Sequence, residues 1–395
     1  MNVLFLHARE HLTPDLSVHY SLMAAFDPAR TKAFVVSNSQ AKDIERHLQA
    51  NAVNPHLTSF VLPLGSASDN EPRSLWKFTH SLLSCFFVLP RLMSLVRGNN
   101  IDVIHSTDRP RDIFLATLLA KASRVPNIIH LHTNAAAYNN RVIMWGFRRA
   151  SAFVTVSNFI RQEGLELGLP FELMHPVPNS TDSGHFDPAL YQDKTPELRL
   201  ALRSRYNLPE SALVIGVIAR MNKWKGQREL IEAMAGLIGR YPDLHLLMVG
   251  GASDPQEFSA YEKQLSELSV ELGVNDHVIF GGRFKDVRPV LLGLDMFALP
   301  SYAEPFGLAI TEAMAMEVPV IACNSGGVPD IIDHRRTGFL VEPRSSAGLV
   351  EAVDFLIQHP EEARQMGRAG RMRIVQAYPA DKIAAQVSDI YQSIL

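Results

Sequence analysis

Short apolar, β-rich runs recur along the first half of the chain, at 3–7, 33–37, 60–64, 103–106, 127–132 and 153–157, separated by stretches of helix-forming composition. The same alternation restarts at 213–217 and recurs at 246–249, 278–280, 296–299, 320–322 and 339–341. Strand followed by helix, repeated, predicts a parallel sheet covered on both faces. The chain is therefore expected to be α/β, with two Rossmann-like doubly wound domains. The stretch 176–188 is dense in Pro, Ser, Asp and Gly and reads as a linker. Domains are expected at 1–190 and 191–378. Helices are expected at 199–206, 347–357 and 361–375, and Tyr378-Pro379 then sets off a final amphipathic helix at 380–394.

One stretch concentrates candidate chemistry. The run 296–299 reads as a buried strand, Pro300-Ser301 end it, and 308–316 has helix-forming composition. In open α/β sheets a strand, loop and helix start in succession lie at the carboxyl edge, where ligands bind, and the free amides of Phe306, Gly307 and Leu308 would face an anion. Glu304 in the loop and Glu312 in the helix are separated by seven residues, so carboxylates suited to hydroxyl groups would flank those amides. Acids at a solvated helix start are the plain alternative. A second cluster follows the strand at 213–217, where Arg220 and Lys225 can both reach the carboxyl edge. With no Asp-x-Asp motif in the chain, two such cations could neutralise a leaving diphosphate without metal. In the first domain, His130 and His132 fall on one face of the strand at 127–132, with His132 nearer its end. His105 and His130 read as structural.

These motifs resemble the GT4-type retaining glycosyltransferases of GT-B architecture, whose signature E-P-F-G-L-x-x-x-E-A-M-A is matched from Glu304 to Ala315. The resemblance continues through Gly326-Gly327-Val328-Pro329 and Thr337-Gly338-Phe339-Leu340-Val341, and a second pattern, G-R-L-x-x-x-K-G, matches at Arg220, Lys225 and Gly226. A third, P-N-G-V-D-x-x-x-F-x-P, is kept at Pro178, Asn179, Asp182, Phe186 and Pro188. It implies two domains facing across a cleft, with residues 379–395 crossing back to the first, and transfer of a sugar from a nucleoside diphosphate to an acceptor hydroxyl. Arg220 and Lys225 would stabilise the departing diphosphate, Glu312 would hold the ribose, and Glu304 the sugar hydroxyls or the diphosphate edge. His132 would contact the transferred sugar or the acceptor, and the loops around Gly250 and Arg283-Phe284 would enclose the base, uridine or guanosine. The chain departs from the family at Glu317 and Ser180, where glycine is usual, and at Asp330, where glutamate is. It also departs at Thr181, where valine is usual, at Ala219 and Met221 in the cation loop, and in the first loop, which reads Ala8 to Pro14 in place of a glycine-rich turn.

Composition narrows the reading. A chain of 395 residues is too long for one ordinary core, and 47% hydrophobic with 20% charged residues suits a globular protein. A net charge of -3 with no basic block argues against a nucleic-acid partner. Cys85 and Cys323 alone can build neither a disulfide framework nor a cysteine zinc cluster, so no metal ligands are expected and the setting is expected to be cytoplasmic. The most apolar stretch, 82–96, is broken by Pro90-Arg91 and too short to span a bilayer. With Trp76, Lys77, Arg91 and Arg97 nearby it is either a packed core helix or a weak peripheral membrane contact through 76–97. Other functional classes also remain: a nucleotide-sugar epimerase on this fold, or a catalytically silent sugar-nucleotide-binding protein.

Overall fold

A computed structural model describes residues 1–9, 13–39, 57–62, 64, 75–134, 138, 141–250 and 255–395. The chain forms two compact units, Met1–Ser180 joined by Ala380–Leu395, and Thr181–Pro379. Their division falls inside the Pro/Ser/Asp/Gly-rich stretch, ahead of residue 190.

The first unit holds β1 (Asn2–His7), β2 (Lys32–Asn38), β3 (Thr58–Leu62), β4 (Val103–Thr107), β5 (Asn127–Leu131), β6 (Ala152–Thr155) and β7 (Met174–Pro176). They form one parallel sheet in the order β3-β2-β1-β4-β5-β6-β7. The chain starts in the middle, winds outward to β3, and returns beside β1 at β4, so a topological switch lies between β1 and β4. β7 was not anticipated, because three residues including His175 and Pro176 carry almost no strand signal.

Alternation along the strands divides the core of this unit. Val3 and Phe5 face a layer with Leu16, Tyr20 and Met23 of the helix Pro14–Ala25. Ile383, Val387, Ile390 and Tyr391 of the last helix, Ala380–Ser393, belong to that same layer. Leu4 and Leu6 point the other way, to Leu115 and Leu119 of Pro110–Ser123 and to Val88, Leu92 and Val96 of Leu75–Gly98. Those last three are four residues apart, one face of a helix, which makes this end of the apolar stretch a core helix. The helix runs through Pro90, which sits on its exposed side. The side chains of Trp76 and Lys77 lie outside the described residues, and so do residues 10–12 of the first loop. Among the described residues no helix is long and apolar enough to cross a membrane.

The second unit holds β8 (Leu213–Ile218), β9 (Leu244–Val249), β10 (Val278–Gly282), β11 (Met296–Leu299), β12 (Val320–Cys323) and β13 (Phe339–Val341). Its parallel order, β10-β9-β8-β11-β12-β13, puts the switch between β8 and β11. The segments that leave these two strands are the ones singled out above, after Ile218 and after Leu299. Their meeting follows from topology, since adjacent parallel strands end on the same edge.

One family departure has a visible backbone cost. Glu317, just past the helix Leu308–Ala315, has φ 62°, and Gly367 approaches it so closely that a Cβ there would lie 2.1 Å from the Glu317 carbonyl oxygen. Left-handed backbone costs a residue with a Cβ roughly 1–2 kcal/mol, and a glycine there would return about 0.5–1 kcal/mol of that through its looser unfolded chain. Glu317→Gly is expected to stabilise the second unit by about 0.5–1 kcal/mol, seen as a rise of ~1–4 °C in Tm. A lowered Tm in calorimetry would instead give the weight to the 3.9 Å contact of Glu317 with Arg371.

Candidate functional site

In the second unit the site is assembled by backbone packing around two loops. β8 ends where Ala219 N donates to Val249 O at 2.9 Å. Gly250 passes so close that a Cβ would lie 1.7 Å from Ala219 O, so only glycine fits. The next residues turn back: Gln227 Nε2 donates to Arg220 O at 3.0 Å, and Asn222 caps the short 3-10 turn Lys223–Lys225. Gly226, at φ 75°, lies against the Pro300 carbonyl, where a Cβ would be 2.2 Å from the oxygen. Tyr302 N donates to Trp224 O at 2.9 Å, and the cation loop is thereby pinned to the loop after β11.

That contact brings Lys225 Nζ to 2.6 Å from Glu304 Oε2, with the two side chains only 10% and 12% exposed. The ammonium also sits 4.1 Å from the centre of the Trp224 ring. Glu304 is held by its backbone too. Gly327 N donates to Glu304 O at 2.8 Å, and a Cβ on Gly326 would come within 2.3 Å of that oxygen. The glycine pair, which on sequence grounds marks a strand-to-helix turn, is a seat for Glu304.

Beyond Glu304, Phe306 is buried against Tyr378 with ring centres 5.8 Å apart. Gly307 takes φ 117° at the start of the helix Leu308–Ala315, a left-handed conformation open to glycine. Thr181, where the family has valine, is buried and donates its hydroxyl to Thr311 Oγ1 at 2.8 Å. Burial pushes the Glu312 carboxyl up to about 7. Arg220 is exposed at the mouth of its loop. Arg283 and Phe284 follow β10, set beside the end of β9 by Gly250 N donating to Gly282 O at 2.9 Å. The Phe284 ring already carries the Arg205 guanidinium at 4.7 Å, and residues 251–254 of the neighbouring loop lie outside the described residues.

The first unit has a polar centre of its own at the carboxyl ends of β1, β4 and β5. His130 and His132 share a face, their rings stacked with centres 4.1 Å apart. They are joined by His7, His105 and His19 of the helix Pro14–Ala25. His7 Nε2 lies 2.9 Å from His19 Nδ1, His19 Nε2 3.2 Å from His130 Nδ1 and 3.3 Å from His132 Nε2. His105 Nε2 lies 3.3 Å from His130 Nδ1, and Tyr391 Oη 2.7 Å from His105 Nδ1. Burial lowers all five imidazoles below their ordinary value, His7 to about 3, so the cluster is neutral at pH 7. Asp108, buried directly after β4, fixes the turn: its Oδ2 accepts from His132 N at 2.6 Å, Thr133 N at 2.8 Å and Tyr138 Oη at 2.7 Å. Burial opposes ionisation of Asp15, but Arg109, at 3.3 Å, together with His132, Arg9 and a hydrogen bond from Thr13, outweighs it and holds the carboxyl well below the usual range. Asp108, His7 and His19 were missed by motif reading. The available signal was position, since His7 and Asp108 each close or directly follow a strand that ends on the ligand edge.

The description "Glycosyl transferases group 1" matches residues 199–373 and "Glycosyltransferase Family 4" matches residues 37–184, and the chain belongs to this family. It is similar to a Bacillus anthracis N-acetyl-alpha-D-glucosaminyl L-malate synthase, 29% identical over 65% of this chain and 63% of that protein. It is also similar to a GDP-mannose-dependent alpha-(1-6)-phosphatidylinositol monomannoside mannosyltransferase of Mycobacterium tuberculosis, 33% identical over 59% of this chain and 60% of that protein. The chain thus spans about three fifths of the length of these curated relatives. In fold it matches Anabaena HepE in complex with UDP and glucose at a TM-score of 0.81, with 21% identity and all of both chains covered. Sucrose-phosphate synthase of Thermosynechococcus elongatus matches at 0.76, with 20% identity over 100% of this chain and 99% of that one. The architecture is GT-B.

Proposed function

We propose that this chain is a retaining glycosyltransferase that moves a hexosyl group from a nucleoside-diphosphate sugar to an acceptor hydroxyl, with no metal needed for donor turnover. The observation that carries the reading is the nearly buried Lys225–Glu304 pair, which joins the loop after β8 to the loop after β11 at the carboxyl edge of the second sheet. The HepE structures holding UDP, glucose and UDP-glucose support a nucleotide-sugar donor, and the mannosyltransferase named for GDP-mannose leaves the base open between uridine and guanosine. We also place the enzyme in the cytoplasm, with no more than a weak peripheral membrane contact through the outer side of 76–97, where Phe87 is 82% exposed while Val88, Leu92 and Val96 pack into the core.

Lys225 is neutralised by Glu304, so a diphosphate oxygen must take over the ammonium. Glu304 is then released toward the sugar hydroxyls. As the glycosidic C–O bond breaks, its electron pair goes to the diphosphate, and Arg220 and Lys225 bind the growing charge better than they bind the ground state. The leaving phosphate oxygen accepts the acceptor proton while the acceptor oxygen bonds to the anomeric carbon on the same face. Glu312 keeps the same ribose contact before and during this step. The Gly250 and Arg283-Phe284 loops enclose the base, and His132 meets the sugar or the acceptor.

Three outcomes follow. Incubation with UDP- or GDP-sugars should release diphosphate nucleotide rather than an isomerised sugar, and the rate should survive EDTA; loss on chelation restored by Mg²⁺ would overturn the metal-free step. Arg220→Ala and Lys225→Ala should fall mainly in kcat, by roughly 30- to several-thousand-fold for a charged contact worth about 2–5 kcal/mol, while Glu312→Ala raises mainly the donor KM. Near-normal kcat in both cation variants, with circular dichroism unchanged, would remove the leaving-group role. Because the ionised form of Glu312 accepts both ribose hydroxyls and its carboxyl is raised to about 7, donor KM should drop as pH rises through that value. Glu312→Gln should flatten this pH profile.

A further inference from the structure

The histidine cluster of the first unit is crowded in a way hydrogen bonding alone does not resolve. His19 Nε2 faces two nitrogens at once, His130 Nδ1 at 3.2 Å and His132 Nε2 at 3.3 Å, and His130 Nδ1 also faces His105 Nε2 at 3.3 Å. A ring nitrogen offers one proton or one in-plane lone pair, so each can complete only one of its two contacts. The nearly buried ring of His130 has in addition an Nε2 that meets no partner. These separations have a second meaning. An ion bound tetrahedrally by imidazoles at about 2.0–2.1 Å holds its ligand nitrogens about 3.3–3.4 Å apart. One ligand nitrogen from each of His19, His130 and His132 lies within 4.8 Å of the other two.

We propose that His19, His130 and His132 bind one transition-metal ion of the zinc class through three imidazole nitrogens, leaving a fourth position open. The donor set fits that class, because imidazole suits zinc, cobalt, nickel and copper, whereas magnesium and calcium take oxygen ligands. The surroundings fit as well. With Nε2 of His19 on the ion, its Nδ1–H donates to His7 Nε2 at 2.9 Å, the outer partner that a ligating histidine ordinarily has. His132 is oriented by its own backbone amide, held at 2.6 Å by Asp108. The three ligands come from a helix packed on the sheet, from β5, and from the residue just beyond β5, so their spacing is set by the core of the unit. All three ligands belong to the first unit. Where His132 also meets the sugar or acceptor, which rests on the function proposed above, bound zinc would take that nitrogen away and slow transfer.

The test is a cobalt titration of the full, untagged chain after stripping with chelator. One equivalent of Co²⁺ should produce the visible d–d bands of a four-coordinate site of three imidazoles and a water, bleached by Zn²⁺ and unaffected by excess Mg²⁺. His19→Gln and His132→Asn should each abolish the bands, whereas His185→Asn, at an exposed position of the second unit, should keep them. Circular dichroism checks folding, and the half-buried His132 carries the test if the His19 variant does not fold. No bands at stoichiometric cobalt, or bands that persist in His132→Asn, would overturn the site. The spectrum needs no sugar nucleotide, so its failure is distinguishable from failure of the transferase reading; a positive spectrum with a zinc-insensitive rate would count against His132 at the sugar and leave the metal site standing.

Discussion

Lys225 and Glu304 are charged groups with about a tenth of their side-chain surface in water, and each is tolerable there because the other neutralises it. That mutual requirement fixes where two loops must meet, and much of the second unit serves to bring them together. Gly226 lets one backbone lie on Pro300, and Gly326 lets another lie on Glu304, at distances no side chain would permit. The pair is neutral overall, and its ammonium can change partners by exchanging one oxygen for another. One contact thus both ties two loops together and keeps a cation at the carboxyl edge of the sheet.

What was legible beforehand was local. Strand runs, helix starts and the Glu304 to Ala315 signature are written in consecutive residues, and the chain folds accordingly at β8, β11 and the helix Leu308–Ala315. The glycine pairs were visible as turns, but their partners were not, because Glu304 meets Gly326 only after strand β12 has been laid beside β11. The histidine cluster was hidden for the same reason. His7, His19, His105 and His130 sit on four different elements, and no spacing along the chain links them. His130 read as a structural residue, and among the described residues it proves to be the ring where contacts from His19 and His105 converge.

Both units show why a parallel sheet concentrates chemistry. Every strand delivers its last residue to one edge, and at a switch point the chains leaving two neighbours go opposite ways, so a crevice opens between them. In the second unit that crevice collects cations, carboxylates and amides. In the first it collects imidazoles, with the buried carboxylates of Asp15 and Asp108 acting on His132. The two edges have the same geometry and different chemical character, one carrying charged groups and the other neutral imidazoles.

The last helix has a consequence for how the protein is made. The second unit is one continuous run, whereas the first is completed by Ala380–Leu395, which bring Ile383, Val387, Ile390 and Tyr391 to its core. At ordinary elongation rates the ribosome takes on the order of 10–40 s to synthesise the intervening unit. Throughout that interval the nascent first unit has all its strands but lacks the five buried residues that the last helix adds to one hydrophobic layer, the layer that holds Leu16, Tyr20 and Met23. The later-synthesised unit, being continuous, can therefore finish folding first, and the earlier one completes its layer only once 380–395 have emerged.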